Sequence, residues 1–177
     1  VPAVEEVSDD GTAIVMERID GVSMVDALGR KPWTVPAHGA ILADLHRRLH
    51  ELDPPDFLGP APVGKGDRLL HLDLHPLNVM ISRNGPVVID WPNAVIGDPL
   101  VDVGLAYLLM ATGAVPATGS KAALLRYGRS WLTDSFMRHF DRSDLDRLLP
   151  DIAEWKSLDQ NMSADEIAAI RTLAAGR

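Results

Sequence analysis

Cysteine does not occur anywhere in the 177 residues of this chain. The protein therefore has no disulfide bonds, no thiolate metal site and no cysteine nucleophile. A chain without cysteine is at home in a reducing compartment, so we expect a cytoplasmic protein.

Long apolar runs and an excess of positive charge are missing as well. The longest apolar stretch, residues 103–114, is shorter than the roughly 20 residues that a membrane-spanning helix needs. The formal net charge is −8, with acidic and basic residues mixed along the chain, which argues against a nucleic-acid partner. We expect neither a membrane nor a nucleic acid as partner. The apolar content of 46% is enough for a folded domain with a real core.

The most informative stretch runs from residue 71 to residue 91. Its centre, Asn84-Gly85 between two apolar runs, predicts a two-residue hairpin loop, because both central residues of a type I′ turn have positive φ. Such a turn pairs Arg83 with Pro86, Met80 with Ile89 and Val79 with Asp90. Asn78 and Asp90 then reach the same open end of the hairpin.

Three oxygen-bearing side chains therefore come together near this end. Asp73 lies five residues before Asn78, on the loop that enters the hairpin. The oxygens of Asn78 and Asp90 are hard ligands of the kind that Mg²⁺ prefers. A further carboxylate, that of Asp73, could orient an acceptor hydroxyl and take its proton. The pattern indicates a phosphoryl-transfer site.

A second interpretation of the same stretch is a transition-metal site. His71, Asp73 and His75 alternate along the chain, so on a strand they would share one face. The protein would then be a metallohydrolase. This alternative leaves Asn78 and the returning Asp90 without a role.

The motif His71-x-Asp73-x-x-x-x-Asn78, followed by Asp90-Trp91, resembles the catalytic and metal loops of the protein-kinase-like superfamily. His75-Pro76 and the later Gly97-Asp98-Pro99-x-x-Asp102 are similar to the aminoglycoside phosphotransferase and choline-kinase-like family. The resemblance implies an α+β, protein-kinase-like fold. Residues 1–19 would be the last strands of the N-terminal lobe, and residues 20–177 the helical C-terminal lobe that carries the catalytic hairpin.

The resemblance also implies the reaction and the site. We expect a small-molecule kinase that uses ATP (or GTP) and Mg²⁺ to phosphorylate a hydroxyl group of an aminoglycoside-like or choline-like acceptor, which can be cationic. The resemblance further implies that Asp102 holds the backbone of the catalytic loop. The expected catalytic residues are Asp73 and His71, the metal ligands are Asn78 and Asp90, and the nucleotide-binding segment is Met16, Glu17, Arg18 and Ile19.

Two parts of such an enzyme have no counterpart in the sequence. A kinase-like protein has a glycine-rich phosphate loop and a phosphate-contacting lysine on a following strand. The chain has four lysines, and the first is Lys31, well after the nucleotide-binding segment. We therefore expect a truncated chain that is inactive by itself. A non-catalytic kinase-like binding module stays open as an alternative.

Around the motif the patterns predict an antiparallel strand pair and a series of helices. Ser23 is a helix cap, and Ser163 with Glu166 has capping-box spacing. His46 and His50 lie four residues apart on one helix, for which we favour a structural role over metal binding. Acidic residues of the C-terminal helices, Asp134, Glu154 and Asp159, are candidates for binding a cationic acceptor. The predicted strands are 1–7 and 12–19, and the predicted helices are 23–28, 36–52, 100–112, 121–140, 143–149, 152–158 and 165–175.

Overall fold

The computed structural model describes residues 1–113 and 119–176. Within these ranges the chain is a mixed α+β protein with six α-helices and seven short β-strands. The strands are β1 (Val4–Val7), β2 (Ile14–Met16), β3 (Gly21–Ser23), β4 (Arg68–Leu70), β5 (Val79–Ser82), β6 (Gly85–Val88) and β7 (Val95–Gly97). The helices are α1 (Met24–Arg30), α2 (Val35–His50), α3 (Pro99–Thr112), α4 (Gly119–Met137), α5 (Arg142–Lys156) and α6 (Ala164–Ala174).

In the described residues the strands form three small antiparallel sheets. β1 pairs with β2, β4 pairs with β7, and β5 lies between β3 and β6. The predicted N-terminal strand pair is confirmed, although its two strands are shorter than expected. Every residue of β1 and β2 is exposed. The core is therefore built elsewhere, mainly from the helices.

The hydrophobic core is built around one face of α2 and almost the whole surface of α3, with buried residues of α4, α5 and α6 packed against them. The predicted apolar stripe on α2 is buried at Leu42, Leu45 and Leu49, as expected for apolar residues three or four positions apart. α4 approaches α2 very closely at Gly39, where a Cβ atom would lie 2.7 Å from Cβ of Ser135. The glycine is needed there because any side chain would push the two helices apart.

The predicted helix caps at Ser23 and Ser163 are confirmed. The Ser23 hydroxyl accepts a hydrogen bond from the Asp26 amide, and Ser163 and Glu166 form a complete capping box. The prediction of two helices between residues 143 and 158 is wrong, since α5 runs through Pro150 without a break. Its apolar face continues at helical spacing on both sides of the proline and is buried, so tertiary packing outweighs the local penalty of proline.

The predicted register of the central hairpin is also wrong. Val79 pairs with Val88, and Ser82 pairs with Gly85, so the loop consists of residues 83 and 84. Gly85 has a positive φ of 109° but Asn84 does not, which rules out the type I′ turn. The Ser82 hydroxyl closes the loop by accepting from the Asn84 amide (3.1 Å) and donating to the Gly85 carbonyl (2.8 Å).

Three short strands, β3, β4 and β7, are absent from the sequence-based prediction. Gly21 begins β3, and β7 lies between the hairpin and α3. A Cβ atom at residue 21 would lie 2.6 Å from the Ile81 carbonyl oxygen. Glycine here allows β3 to pair closely with β5. In the part of the chain that the structure describes, no helix has the length and apolar character to cross a bilayer.

Candidate active site

The backbone that follows β4 is anchored by a buried carboxylate on α3, that of Asp102. Oδ2 of Asp102 accepts from the backbone amide of His71 at 3.0 Å, and Oδ1 accepts from that of Leu72 at 2.8 Å. His50 on α2 completes the group, because its Nε2 lies 3.2 Å from Asp102 Oδ2. Asp102 is only 1% exposed, so these contacts are not shared with bulk water. The expected anchoring role of Asp102 is confirmed.

Leu72 and Asp90 have a left-handed backbone conformation. Their φ angles are 56° and 68°, and they are the two non-glycine residues with positive φ in the described ranges. This conformation costs roughly 1–2 kcal/mol for a residue with a Cβ atom. Such strain persists only where surrounding contacts impose it, and it concentrates at functional sites. One of the two residues immediately precedes Asp73, and the other is itself a candidate ligand.

The carboxylate of Asp73 is held by two neighbouring side chains. Nδ2 of Asn78 donates to Asp73 Oδ2 and to its backbone carbonyl, both at 2.9 Å. Nε2 of His75 lies 3.3 Å from Oδ1. Nδ1 of His75 accepts from the Leu77 amide at 3.3 Å, so the proton is on Nε2 and His75 donates to Asp73. Both oxygens of Asp73 are thus fixed in orientation.

These contacts keep Asp73 ionised. Its partial burial acts to raise the pKa of the carboxyl group, but this effect is outweighed by the hydrogen bonds from His75 and Asn78 and by the charge of Lys156. The pKa of Asp73 therefore lies below its ordinary value. At neutral pH the side chain is a carboxylate that can accept a hydrogen bond from a hydroxyl group.

Asn78 and Asp90 lie at the same open end of the hairpin, as the sequence suggested. The carbonyl of Asn78 accepts from the Ile89 amide at 3.0 Å, and this bond is the last one before the chain turns away at Asp90. Asp90 is exposed, whereas Asn78 is buried. Among the described residues, hydrogen bonds connect Asn78 directly to Asp73, whereas Asp90 is linked to this pair through the backbone of its neighbour Ile89.

The side-chain oxygens of Asn78 and Asp90 are of the type that binds a hard divalent cation. Because Nδ2 of Asn78 is committed to Asp73, Oδ1 is directed away from it and bonds to no other described residue. The exposed carboxylate of Asp90 likewise forms no hydrogen bond within the described ranges. One amide oxygen and one carboxylate suit Mg²⁺, which completes its shell with water and phosphate oxygens.

His71 is fully buried and lies behind the site. Its Nε2 donates to the Ile89 carbonyl at 3.1 Å, and its ring packs against Trp91 with 4.6 Å between centroids. Burial lowers the pKa of His71, although the nearby charge of Asp102 acts in the opposite direction. The ring is therefore neutral at pH 7 and connects the loop that follows β4 to Ile89, the residue before Asp90. This geometry supports a positioning role for His71.

The expected nucleotide-binding segment lies at the end of β2. Met16, Glu17 and Arg18 are exposed, and Ile19 is half-buried. The Glu17 amide already donates to the Ala3 carbonyl at 2.8 Å. An adenine ring would therefore have to use other backbone groups of this segment.

The alternative metal site is not supported by the geometry. His71 faces a backbone carbonyl, and His75 faces Asp73 and the Leu77 amide, so the rings do not converge on a common point. Among the described residues, no three His, Asp or Glu side chains are arranged to hold a metal ion.

The sequence missed the roles of two residues near the site. His50 was seen only as one of a helical histidine pair, and its partner Asp102 is 52 residues away. The charge of Lys156, at the end of α5, contributes to the lowered pKa of Asp73. No local pattern could have revealed either contact. Of the acidic acceptor candidates, Glu154 pairs with Arg171, Asp159 pairs with Lys156, and Asp134 is exposed.

Comparison with known proteins gives one family match. Residues 58–155 match the model of the APH family, described as the phosphotransferase enzyme family. No curated protein matches the chain significantly. The matched range includes β4, the catalytic loop, the hairpin, α3 and nearly all of α5. Because it spans more than half of the chain, the protein belongs to the phosphotransferase enzyme family.

Proposed function

We propose that the protein transfers the γ-phosphoryl group of ATP (or GTP) to a hydroxyl group of a small molecule. The observation that carries this proposal is the direct link between Asp73 and Asn78, at 2.9 Å, at the open end of the hairpin that also carries Asp90. In the proposal Asp73 is the base, and Asn78 and Asp90 are two hard metal ligands at the same end of the hairpin. The expected kinase-like division, with residues 1–19 in an N-terminal lobe and 20–177 in a C-terminal lobe, is part of the proposal.

In this proposal Asp73 contacts the acceptor. Its carboxylate accepts the hydrogen bond of the acceptor hydroxyl and takes the proton as the new P–O bond forms and the bond to the leaving diphosphate breaks. A carboxylate with a lowered pKa is a weak base, so its main contribution is orientation of the hydroxyl oxygen. His75 and Asn78 fix that orientation by holding both carboxylate oxygens.

Asn78 and Asp90 would hold Mg²⁺ together with phosphate oxygens of the nucleotide. When bound, the metal ion neutralises negative charge on the transferring phosphoryl group. The exposed backbone of residues 16–19 would contact the nucleotide base. His71 and Asp102 contribute indirectly, because Asp102 fixes the backbone just before Asp73 and His71 binds the backbone just before Asp90.

The proposal is tested by replacing Asp73 with asparagine in the intact protein. Asparagine keeps the size of the side chain but removes its charge and its ability to take a proton. We expect turnover to fall by about 10²–10⁴-fold, the usual contribution of a general base. Binding of Mg²⁺-nucleotide, measured by calorimetry, is expected to change little because Asp73 is not one of the metal ligands.

A matched variant, Asp90→Asn, should give the opposite pattern, with Mg²⁺-dependent nucleotide binding weakened at least tenfold. Asp56→Asn, at an exposed position in the loop before β4, is the control and should behave like the unmodified protein. Normal phosphoryl transfer by Asp73→Asn, across a panel of hydroxyl acceptors, would contradict the proposal.

A further inference from the structure

The turn that carries Asn78 also carries an exposed leucine that the proposed reaction does not use. Leu77 is 60% exposed, and between residues 69 and 82 it is the only exposed residue. Leu72 and Leu74, in the same loop, are 5% and 1% exposed and belong to the hydrophobic core. Packing therefore explains those two leucines but not Leu77.

Leu77 lies next to both groups that hold the Asp73 carboxylate. Its amide donates to Nδ1 of His75 at 3.3 Å, and Nε2 of the same ring lies 3.3 Å from Asp73 Oδ1. The next residue in the chain, Asn78, donates from Nδ2 to Asp73 Oδ2 at 2.9 Å. One imidazole ring therefore separates the Leu77 amide from the carboxylate. A small molecule bound by its hydroxyl group at Asp73 needs only a few further atoms to reach Leu77.

The backbone around Leu77 is held by hydrogen bonds within the loop. Residues Pro76–Asn78 form a single 3₁₀ turn, and the Asn78 amide donates to the His75 carbonyl at 2.9 Å. The His75 amide donates in turn to the Asp73 carbonyl at 3.0 Å. α1 and β3 pack against this turn, and Leu77 is nevertheless exposed. An apolar side chain on a backbone that is already fixed can contact a ligand at little cost in backbone freedom.

We propose that Leu77 contacts the acceptor, and that the acceptor carries an aliphatic group close to the hydroxyl that is phosphorylated. The inference rests on the proposed function, because Asp73 marks the acceptor side only if it contacts the acceptor hydroxyl. Contact between the aliphatic group and Leu77 removes apolar surface of both molecules from water. Each methylene group buried in this way should raise the affinity about two- to fourfold.

The test uses four 1,2-diols that share their hydroxyl groups and differ in the length of the alkyl chain. They are 1,2-propanediol, 1,2-butanediol, 1,2-pentanediol and 1,2-hexanediol. Binding is followed by NMR titration of the protein with labelled leucine methyl groups and labelled backbone amides. We expect saturable shifts of the Leu77 methyl signals and of the His75 amide signal, and a dissociation constant that falls about two- to fourfold with each added methylene group. The methyl signals of Leu52, which is 54% exposed beyond the end of α2, are the reference and should not shift.

Variants of Leu77 distinguish recognition by this side chain from unspecific binding of an alkyl chain. Leu77→Ser should abolish the dependence of the affinity on chain length, and Leu77→Met, which keeps the apolar character, should retain it. Leu52→Ser, at a position of similar exposure, is the matched control and should retain the full dependence. Because both leucines are exposed, these variants should remain folded, which thermal unfolding verifies.

Three results would overturn the inference: no saturable shift at Leu77 and His75, a dissociation constant that does not depend on chain length, or the same chain-length dependence in Leu77→Ser as in the unmodified protein. These results leave the Asp73→Asn experiment unaffected. Conversely, if Asp73→Asn transfers phosphate normally while the diols bind at Leu77, the proposed reaction fails and the apolar contact stands by itself.

Discussion

Replacement of Asp102 by asparagine is the sharpest test of how the catalytic loop is held. The carboxylate accepts from two backbone amides, at 2.8 and 3.0 Å, and lies 3.2 Å from His50 Nε2. Asparagine offers only one oxygen, so its NH₂ group would face either the His71 or the Leu72 amide. One buried N–H group then lacks an acceptor, which costs about 2 kcal/mol. The remaining hydrogen bonds are no longer made to a charged group, which weakens them by about 1 kcal/mol in total.

We therefore expect Asp102→Asn to lower the free energy of unfolding by about 3 kcal/mol. The effect on transfer should be larger than stability alone suggests. Leu72 is held at a φ of 56° by this contact and immediately precedes Asp73. If the loop relaxes, Asp73 moves relative to the acceptor, and a misplacement of about 1 Å can cost a hundredfold in rate.

The assay combines urea unfolding with steady-state transfer at a temperature where the variant is fully folded. Asp44→Asn on α2 is the matched control, because its carboxylate is half exposed and pairs only loosely with Arg47 and Arg48, at 3.7 and 3.9 Å. The free energy of unfolding of Asp44→Asn should differ from that of the unmodified protein by no more than about 0.5 kcal/mol. If Asp102→Asn is as stable as this control and transfers phosphate normally, the carboxylate does not hold the loop, and the reasoning is wrong.

The other predictions concern the core. Burial lowers the pKa of His46 to about 4 against the opposing charge of Asp102, so on acidification the unfolded chain takes up the proton before the native one does. The free energy of unfolding should therefore keep its full value above pH 6.5 and be about 2 kcal/mol lower at pH 5. Measured by urea unfolding, this pH dependence should be flatter in His46→Phe. An equal pH dependence in the two proteins would contradict the prediction. Gly39→Ala should lower the free energy of unfolding by about 1–3 kcal/mol, because the new Cβ atom would clash with α4 at Ser135. Gly29→Ala, in α1 with nothing within 4 Å, should instead stabilise by up to about 1 kcal/mol in thermal unfolding; the same sign at both positions would refute the packing argument.

The hairpin shows why part of the site could be predicted although its turn was wrong. The observed pairing differs from the predicted one by two residues, Val79 facing Val88 instead of Asp90. A shift of two residues keeps every side chain on its own face of the sheet. Asn78 and Asp90 therefore still reach the same end. The turn itself depends on the Ser82 hydroxyl, a local hydrogen-bonding choice that the Asn-Gly signal does not reveal.

Other features escaped prediction because they depend on distant parts of the chain. β3, β4 and β7 have three residues each, too few for a periodic pattern. They exist through pairing, β3 with β5 and β4 with β7. α5 continues through Pro150 because its buried face packs against α3, where Ile152 Cδ1 lies 2.6 Å from the position of a Cβ atom on Gly104. The spacing of the motifs identified the polar side chains of the site, whereas the strand pairs and helix contacts that surround them become apparent only in the three-dimensional structure.

The supports of the site come from elements that are far apart in sequence. Asp102 on α3 and His50 on α2 hold the backbone before Asp73, while His71 reaches across to the residue before Asp90. The two left-handed residues together store roughly 2–4 kcal/mol of strain, which isolated loops of this length could not maintain. The site geometry therefore exists only while α2, α3 and the hairpin are packed together. It follows that backbone amides 71 and 72 should exchange hydrogen as slowly as the core helices, and exchange as fast as in an exposed loop would show that the loop opens independently.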